Sequence, residues 1–212
     1  MRTLIGIPCM DYCHTDFLRA LLSLEVSGEV QYAFAQSSLI YDARNKLVDM
    51  AIEGGFERVM WLDSDMIFHP STFRRFHEHL DQGREIVTGL YFTRKPPTRP
   101  VIYKSLRAER NGKFVNGIAE NFDDYPRDDI FTVKGCGFGA VMTSTDLLRR
   151  IRDELGAPFA PATGFGDDLS FCLRCEHLDV PIWCDSSIKC GHVGLAVYSE
   201  ENYRALLGHN DL

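Results

Sequence analysis

At 212 residues the chain suits one α/β domain around a continuous core, and its 45% hydrophobic and 25% charged content excludes a disordered or low-complexity protein. The 23 Lys+Arg against 30 Asp+Glu leave a net charge of -7, which argues against a surface devoted as a whole to a nucleic-acid backbone. The opening apolar run is too short and too soon broken at Pro8 for a signal peptide, and no run has the length to cross a bilayer, so a cytoplasmic protein without a membrane partner is expected.

Residues 3–7 read as a first short strand stopped by Pro8. Residues 15–26 place Phe17, Leu18, Leu21, Leu22 and Leu24 at helical spacing, with Thr15 as N-cap and Gly28 beyond the end. A second strand follows at 30–35, and Ile40, Ala43, Leu47, Met50 and Ala51 mark a second helix closed by Gly54-Gly55. Residues 58–62 form a near-continuous apolar run, the pattern of a strand buried on both faces, and end in Asp63-Ser64-Asp65. This β-α-β-α-β order predicts right-handed crossovers and an α/β fold, a mostly parallel, Rossmann-like mixed sheet flanked by helices. Ligands of such sheets gather at the carboxyl ends of the strands, where Pro8-Cys9-Met10, Ser37-Ser38 and Asp63-Ser64-Asp65 fall.

A short helix at 71–80 precedes strands at 86–92 and 101–103, and the acid-rich 111–129 region, with Asn-Gly twice, predicts a hairpin plus an exposed loop. Strands at 131–133 and 138–143 flank Gly135-Cys136-Gly137-Phe138-Gly139. Helices at 145–155 and 167–178 follow, then strands at 182–184 and 188–190 ahead of Gly191-His192. Residues 94–113 carry Arg94, Lys95, Arg99, Lys104, Arg107, Arg110 and Lys113 against the single acid Glu109, either a solvated loop face or a lid over an acceptor or diphosphate. The 7 cysteines are an odd number and cannot all pair internally. Cys172-x-x-Cys175 lies inside a helical pattern and, with Cys184, Cys190 and His192, matches no common zinc module, so reduced and mostly buried thiols are expected.

Two carboxylates on one tight turn repel each other, and a divalent cation relieves the repulsion. Oxygen ligands suit Mg²⁺ or Mn²⁺, and an ion held by one or two carboxylates completes its shell with substrate phosphates and water. Such an ion neutralises charge on a departing nucleoside diphosphate. A lone D-x-D also occurs in ordinary loops; the buried strand before Asp63 singles this one out. Arg44-Asn45, at the start of the second helix, either contacts phosphate through the guanidinium fork or presents a surface arginine paired with Asp42 or Asp49. Asp167-Asp168 opens a helix, with Asp167 an N-cap candidate and Asp168 a candidate general base toward an acceptor hydroxyl. The small neighbours of His192 would let a neutral imidazole approach a metal, although a lone histidine is more often structural.

Ala43-Arg44-Asn45, Val59 through Asp63-Ser64-Asp65-Met66, Gly166-Asp167-Asp168-Leu169-Ser170-Phe171 and Gly191-His192 together resemble the GT-A glycosyltransferases, particularly the small soluble enzymes of phages and bacteria. The likeness covers nearly the whole chain and implies a single GT-A domain over 1–212, with a nucleotide-sugar-binding half at 1–92 and an acceptor-binding half at 93–212. It implies that Asp63 contacts the ribose or the metal, that Asp65 binds Mn²⁺ or Mg²⁺, and that His192 completes the protein ligands. Pro8, Arg44, Asn45 and Ser64 would join Asp63 and Asp65 around a nucleotide-diphosphate sugar, with a UDP-sugar the leading donor and Arg44 on its phosphate or sugar. Asp168 matches the second acid of the family's Glu-Asp pair, the base of inverting members, and Asp167 stands where the family has Glu; retaining members need no such base. The acceptor is a hydroxyl of carbohydrate or protein or, given the basic stretch, of a hydroxymethylated pyrimidine in phage DNA.

Three other readings compete. A haloacid-dehalogenase-like phosphatase would carry its nucleophilic Asp on the first strand. A nucleotidyltransferase would have a glycine-rich basic loop where Gly6-Ile7-Pro8-Cys9-Met10-Asp11 stands. A non-catalytic nucleic-acid- or sugar-binding protein would turn over no nucleotide sugar.

Overall fold

Strands form where β-branched and aromatic residues run together, and helices where apolar residues return to one face. The computed structural model describes residues 1–162, 164–194 and 197–207. Its first half holds β1 (Arg2–Cys9), α1 (Thr15–Leu22), β2 (Glu29–Gln36), α2 (Ile40–Glu53), β3 (Arg58–Leu62), β4 (Met66–Ile67), α3 (Thr72–Asp81) and β5 (Ile86–Leu90). The second half adds β6 (Ile102–Asn111), β7 (Phe114–Asn121), β8 (Ile130–Val133), β9 (Gly135–Cys136), β10 (Ala140–Ser144), α4 (Thr145–Leu155) and α5 (Asp167–His177). It closes with β11 (Ile182–Lys189), β12 (Gly191–Val193), β13 (Val197–Tyr198) and α6 (Glu200–Leu207).

The central sheet has seven strands in the order β2-β1-β3-β10-β5-β11-β8. β2, β1 and β3 are mutually parallel, as alternating strands and helices require. Beyond them the sheet is more mixed than that alternation implies. β10 runs antiparallel to both β3 and β5, β11 is parallel to β5, and β8 is antiparallel to β11. The cause lies in the connections: no helix intervenes between β5 and β10, so the crossover that a parallel pair needs is missing there.

Helices cover both faces. On one, α2, α4 and α5 bury Leu47, Leu148 and Phe171 against Trp61, Phe138 and Phe159; on the other, α1 and α3 bury Phe17, Leu21, Phe73 and Phe76 against Met60, Val87 and Met142. The buried Trp61 indole donates to Thr143 Oγ1 at 3.0 Å, so its polar atom is satisfied without reaching solvent. No helix among the described residues is long and apolar enough to cross a membrane.

Several elements depart from the sequence pattern. β1 runs through Pro8, which pairs in register with Ala35. The β3 side of β1 is paired only as far as Gly6, so Pro8 withholds no N–H from a ladder there. α1 is capped by His14, whose Nδ1 accepts from Asp16 N at 3.3 Å, rather than by Thr15, and it ends at Leu22. The strands expected at 182–184 and 188–190 are one strand with a register shift between Asp185 and Lys189, where Ser186 turns aside to donate to the Pro126 carbonyl at 2.7 Å.

The basic stretch is mostly not a loop: β6 occupies Ile102–Asn111 and pairs with β7 in a long hairpin. Several of its charges are matched locally, Lys104 to Glu120 at 3.0 Å, Arg107 to Glu109 at 3.6 Å, and the preceding Arg99 to Asp123 at 2.6 Å. The solvated-face reading therefore describes the hairpin, and only Arg94 and Lys95 reach the cleft at the carboxyl end of the sheet.

Candidate active site

The turn after β3 is pinned from both sides. Asp63 N donates to the Gly139 carbonyl at 3.1 Å, and Met66 N closes the turn onto the Asp63 carbonyl at 3.1 Å. β4 then pairs antiparallel with β12, setting His192 opposite Met66, while Val193 N donates to the Asp65 carbonyl at 2.8 Å. Two segments 127 residues apart are thus held by backbone bonds, and His192 Nε2 comes within 3.5 Å of Asp65 Oδ2. The other ring nitrogen, Nδ1, lies 2.9 Å from the Phe92 carbonyl, a partner that can only accept. Nδ1 therefore carries the proton, and Nε2 faces Asp65.

Arg44 is not a surface arginine. It sits in the first turns of α2 with 2% of its surface exposed, its guanidinium packed on one side against the rings of Phe138 and Phe159, 5.5 and 5.7 Å from their centroids. Nη2 donates to Asp63 Oδ1 at 2.9 Å, and Nη1 bonds both Asp167 and Asp168. The partners proposed for a surface arginine are engaged elsewhere: Asp42 accepts from Ser37 and Lys46, and Asp49 faces Arg152. Asp167 is the first residue of α5, not its N-cap, a position that Gly166 takes. Its carboxylate turns instead to Arg44.

The electrostatics follow from this crowding. Burial pushes the Asp168 carboxyl up to about 7; Arg44 opposes the rise, and Asp167 and Asp63 add to it. Burial also raises Asp63, with the charge of Asp65 adding and that of Arg44 resisting. Burial works to raise Asp65 as well, but His192 and Arg94 outweigh it and leave this carboxyl below the ordinary range. His192 is held above its usual value because its bonds to Asp65 and the Phe92 carbonyl exceed the opposing effect of burial. Four carboxylates thus share two arginines, Arg44 beneath and Arg94 on the rim, where Arg94 pairs with Asp65.

Two adjoining cavities open on this cluster. One, of about 490 Å³, is lined by Asp63, Asp65, Tyr91, Arg94, Asp168 and His192. The other, of about 300 Å³, lies over the ends of β1 and β2 and is lined by Pro8, Met10, Ser37, Ser64 and again Asp63, Asp65 and Arg94. Of the residues predicted for the site, Asn45 alone turns away, its Oδ1 accepting from Phe159 N at 3.0 Å. A groove of about 540 Å³ between β8, β11 and α5 is larger but brings together no predicted site residue, and its Lys134 is already paired with Glu176 at 2.8 Å.

Tyr91, which the sequence offers equally as a core residue or as a stacking surface for a base, lines the larger cavity, stands edge-to-face with the His192 ring at 5.7 Å, and accepts from Gly139 N at 3.1 Å. Its signal was the glycine-rich segment: a Cβ at Gly137 would stand 2.0 Å from the Tyr91 hydroxyl and one at Gly139 would stand 3.0 Å from its ring. These glycines make room for the phenol. All seven cysteines are free. Cys172 and Cys175 face the core from α5, where Cys172 Sγ accepts from Cys136 N at 3.4 Å. Among the described residues no group of three or more His, Cys, Asp or Glu side chains is arranged as a metal cage.

No protein-family model matches the chain, and no curated protein matches it in sequence. Solved structures do. A197 from STIV superposes with a TM-score of 0.66 at 20% identity, over 92% of this chain and 86% of that one. GalNAc-T7, solved with UDP, GalNAc and Mn²⁺, superposes with a TM-score of 0.58 at 7% identity, over 98% of this chain but only 47% of its own. At these identities the likeness establishes architecture alone: the chain is a single α/β domain with a seven-stranded mixed sheet flanked by helices, a GT-A-like fold.

Proposed function

We propose that the chain is a metal-dependent glycosyltransferase that moves a sugar from a nucleoside-diphosphate sugar to a hydroxyl acceptor. The observation that carries this reading is the division of charge around Arg44. That buried guanidinium engages Asp63, Asp167 and Asp168, which leaves Asp65 answered, among the described residues, by the half-exposed Arg94 and by His192. Asp65 is therefore the carboxylate free to exchange its partner for a cation.

The donor set fits Mn²⁺ or Mg²⁺. One or two carboxylates and an imidazole, short of a full protein cage, match an ion that takes its remaining ligands from substrate phosphates and water. Asp65 and His192 would hold it, with Asp63 at the margin, and the ion would neutralise charge on the leaving diphosphate. The Nδ1 bond to the Phe92 carbonyl fixes the imidazole with Nε2 toward Asp65, where it would be available to such an ion.

The cavity over Pro8, Met10 and Ser37 supports donor binding by the half spanning 1–92, and a UDP-sugar is favoured because UDP and GalNAc accompany GalNAc-T7, which shares the architecture. Asp168 lines the neighbouring cavity with a carboxyl poised near 7, suited to take a proton from an acceptor hydroxyl entering from the 93–212 half. Arg44 would position these carboxylates instead of gripping donor phosphate, a task better suited to Arg94. The acceptor is best described as a hydroxyl compound. The DNA reading drew on the basic stretch, whose Lys104, Arg107 and Arg99 are already paired with acids.

The test is turnover of UDP-, GDP- and dTDP-sugars with and without Mn²⁺ or Mg²⁺, in wild type and Asp65→Ala. Metal-dependent sugar release that disappears in the variant, with the melting temperature retained, supports the proposal. Near-native turnover in Asp65→Ala would overturn the metal assignment, and no turnover of any donor would favour a binding protein.

A further inference from the structure

The two edges of the central sheet are unlike. β8, at one end, is four residues long, a length that offers little to a passing strand. β2, at the other, is eight residues long and, among the described residues, pairs only with β1, so its far edge has N–H and C=O groups with no backbone partner there. The usual protections are absent: its sequence EVQYAFAQ has no proline or lysine, and its single charge, Glu29, is the first residue.

The surface beside this edge is apolar. Tyr32 and Phe34 alternate onto the face covered by α1 and remain 41% and 48% exposed, while Leu22, at the end of α1, is 87% exposed and Tyr12, in the loop before it, 85%. Met10, Tyr12, Leu18 and Phe34 line one cavity, which ties the loop, helix and strand into a continuous patch. With a large apolar side chain taken at about 200 Å², the exposed parts of these six residues amount to roughly 700 Å², close to the roughly 800 Å² that each partner of a standard interface contributes.

We infer that β2 is a homodimer interface, pairing antiparallel with β2 of a second copy about a two-fold axis normal to the sheet. That operator joins two seven-stranded sheets edge to edge and keeps both α1 faces on the same side. The Tyr32, Phe34 and Leu22 patches of the two copies then meet in one isologous surface. A second copy is the occupant that satisfies both halves of the observation, since it supplies a strand for the open edge and an equal apolar patch for the exposed one. Only one charge per strand, at its end, has to be accommodated.

Sedimentation velocity across the micromolar range, in reductant so that the partly exposed Cys9 and Cys13 do not cross-link, tests this directly. Wild type is expected to sediment as a dimer, and Tyr32→Lys/Phe34→Lys as a monomer with an unchanged circular dichroism spectrum. Hydrogen exchange at β2 amides should be slower in the concentrated wild type than in the dilute protein. Should the double variant fail to fold, Leu22→Glu, outside the strand, decides: a weakened dimer supports the interface and an unaltered one refutes it. A wild type that stays monomeric overturns the inference, and if that monomer floats with lipid vesicles the patch belongs to a membrane surface.

Discussion

Replacing Arg44 by Met keeps much of the side-chain volume against Phe138 and Phe159 and removes the buried cation beneath the site. Asp63, Asp167 and Asp168 would then face each other with no buried counter-charge. Removing one partner of a buried ion pair costs about 3–5 kcal/mol, and for a domain of this size each kcal/mol lowers the melting temperature by roughly 2–4 °C. The expected drop is therefore on the order of 10 °C at neutral pH. The loss should also depend on pH in a definite direction. Burial already raises the Asp63 and Asp168 carboxyls against the opposing charge of Arg44, so without Arg44 they rise further, the native variant binds more protons than the unfolded chain, and its stability falls as pH rises. Urea unfolding at several pH values between about 5 and 8 should show the gap to wild type widening toward the alkaline end. A loss under about 1 kcal/mol, or a gap that does not vary with pH, would refute the assignment of Arg44 as the common counter-ion of these acids.

Asp168→Asn should lower transfer by roughly 10²–10⁴-fold while leaving donor affinity, read by calorimetry with the nucleotide, within a few-fold of wild type. Gly137→Ala should cost about 1–3 kcal/mol because its methyl group meets the Tyr91 hydroxyl, and Gly137→Ala/Tyr91→Phe should recover part of that loss in thermal melts. His77 is buried against Phe73, with Arg58 Nη1 2.8 Å from Nδ1 and Thr3 Oγ1 3.3 Å from Nε2, a setting that favours the neutral ring. Burial and then Arg58 lower its pKa from 6.5 to about 4, so its contribution is complete above 6.5 and is lost as pH falls toward 4. That amounts to at most roughly 3 kcal/mol, and urea titrations of His77→Gln should show a shallower decline over this window.

The parts of the site legible in the sequence were those marked by local pattern. The apolar run of β3 announced a buried strand, and Asp63 and Asp65 at its end, Asp168 at the start of α5 and His192 between glycines are brought to one cleft. The partners of these groups were not legible, because pairing depends on which segments the fold sets side by side. Arg44 had acids within five residues on its own helix, and its actual carboxylates are 19, 123 and 124 residues away. The basic stretch misled for a related reason: Lys104 and Glu120 lie on different strands and become neighbours only once β6 and β7 pair.

The two arginines also divide the acids by environment. Arg44 is buried, packed against two aromatic rings and bonded to three carboxylates, so the positions of Asp63, Asp167 and Asp168 are set by the folded core before any ligand arrives. Arg94 is about half exposed, on the loop after β5, and lines both cavities from the side of Asp65. With its guanidinium half in solvent, Arg94 can leave Asp65 at lower cost than the buried Arg44 can leave its three acids. Of the four carboxylates, Asp65 is thus the one that can exchange its counter-charge without disturbing the fold, and the imidazole whose Nε2 is turned toward it is that of His192.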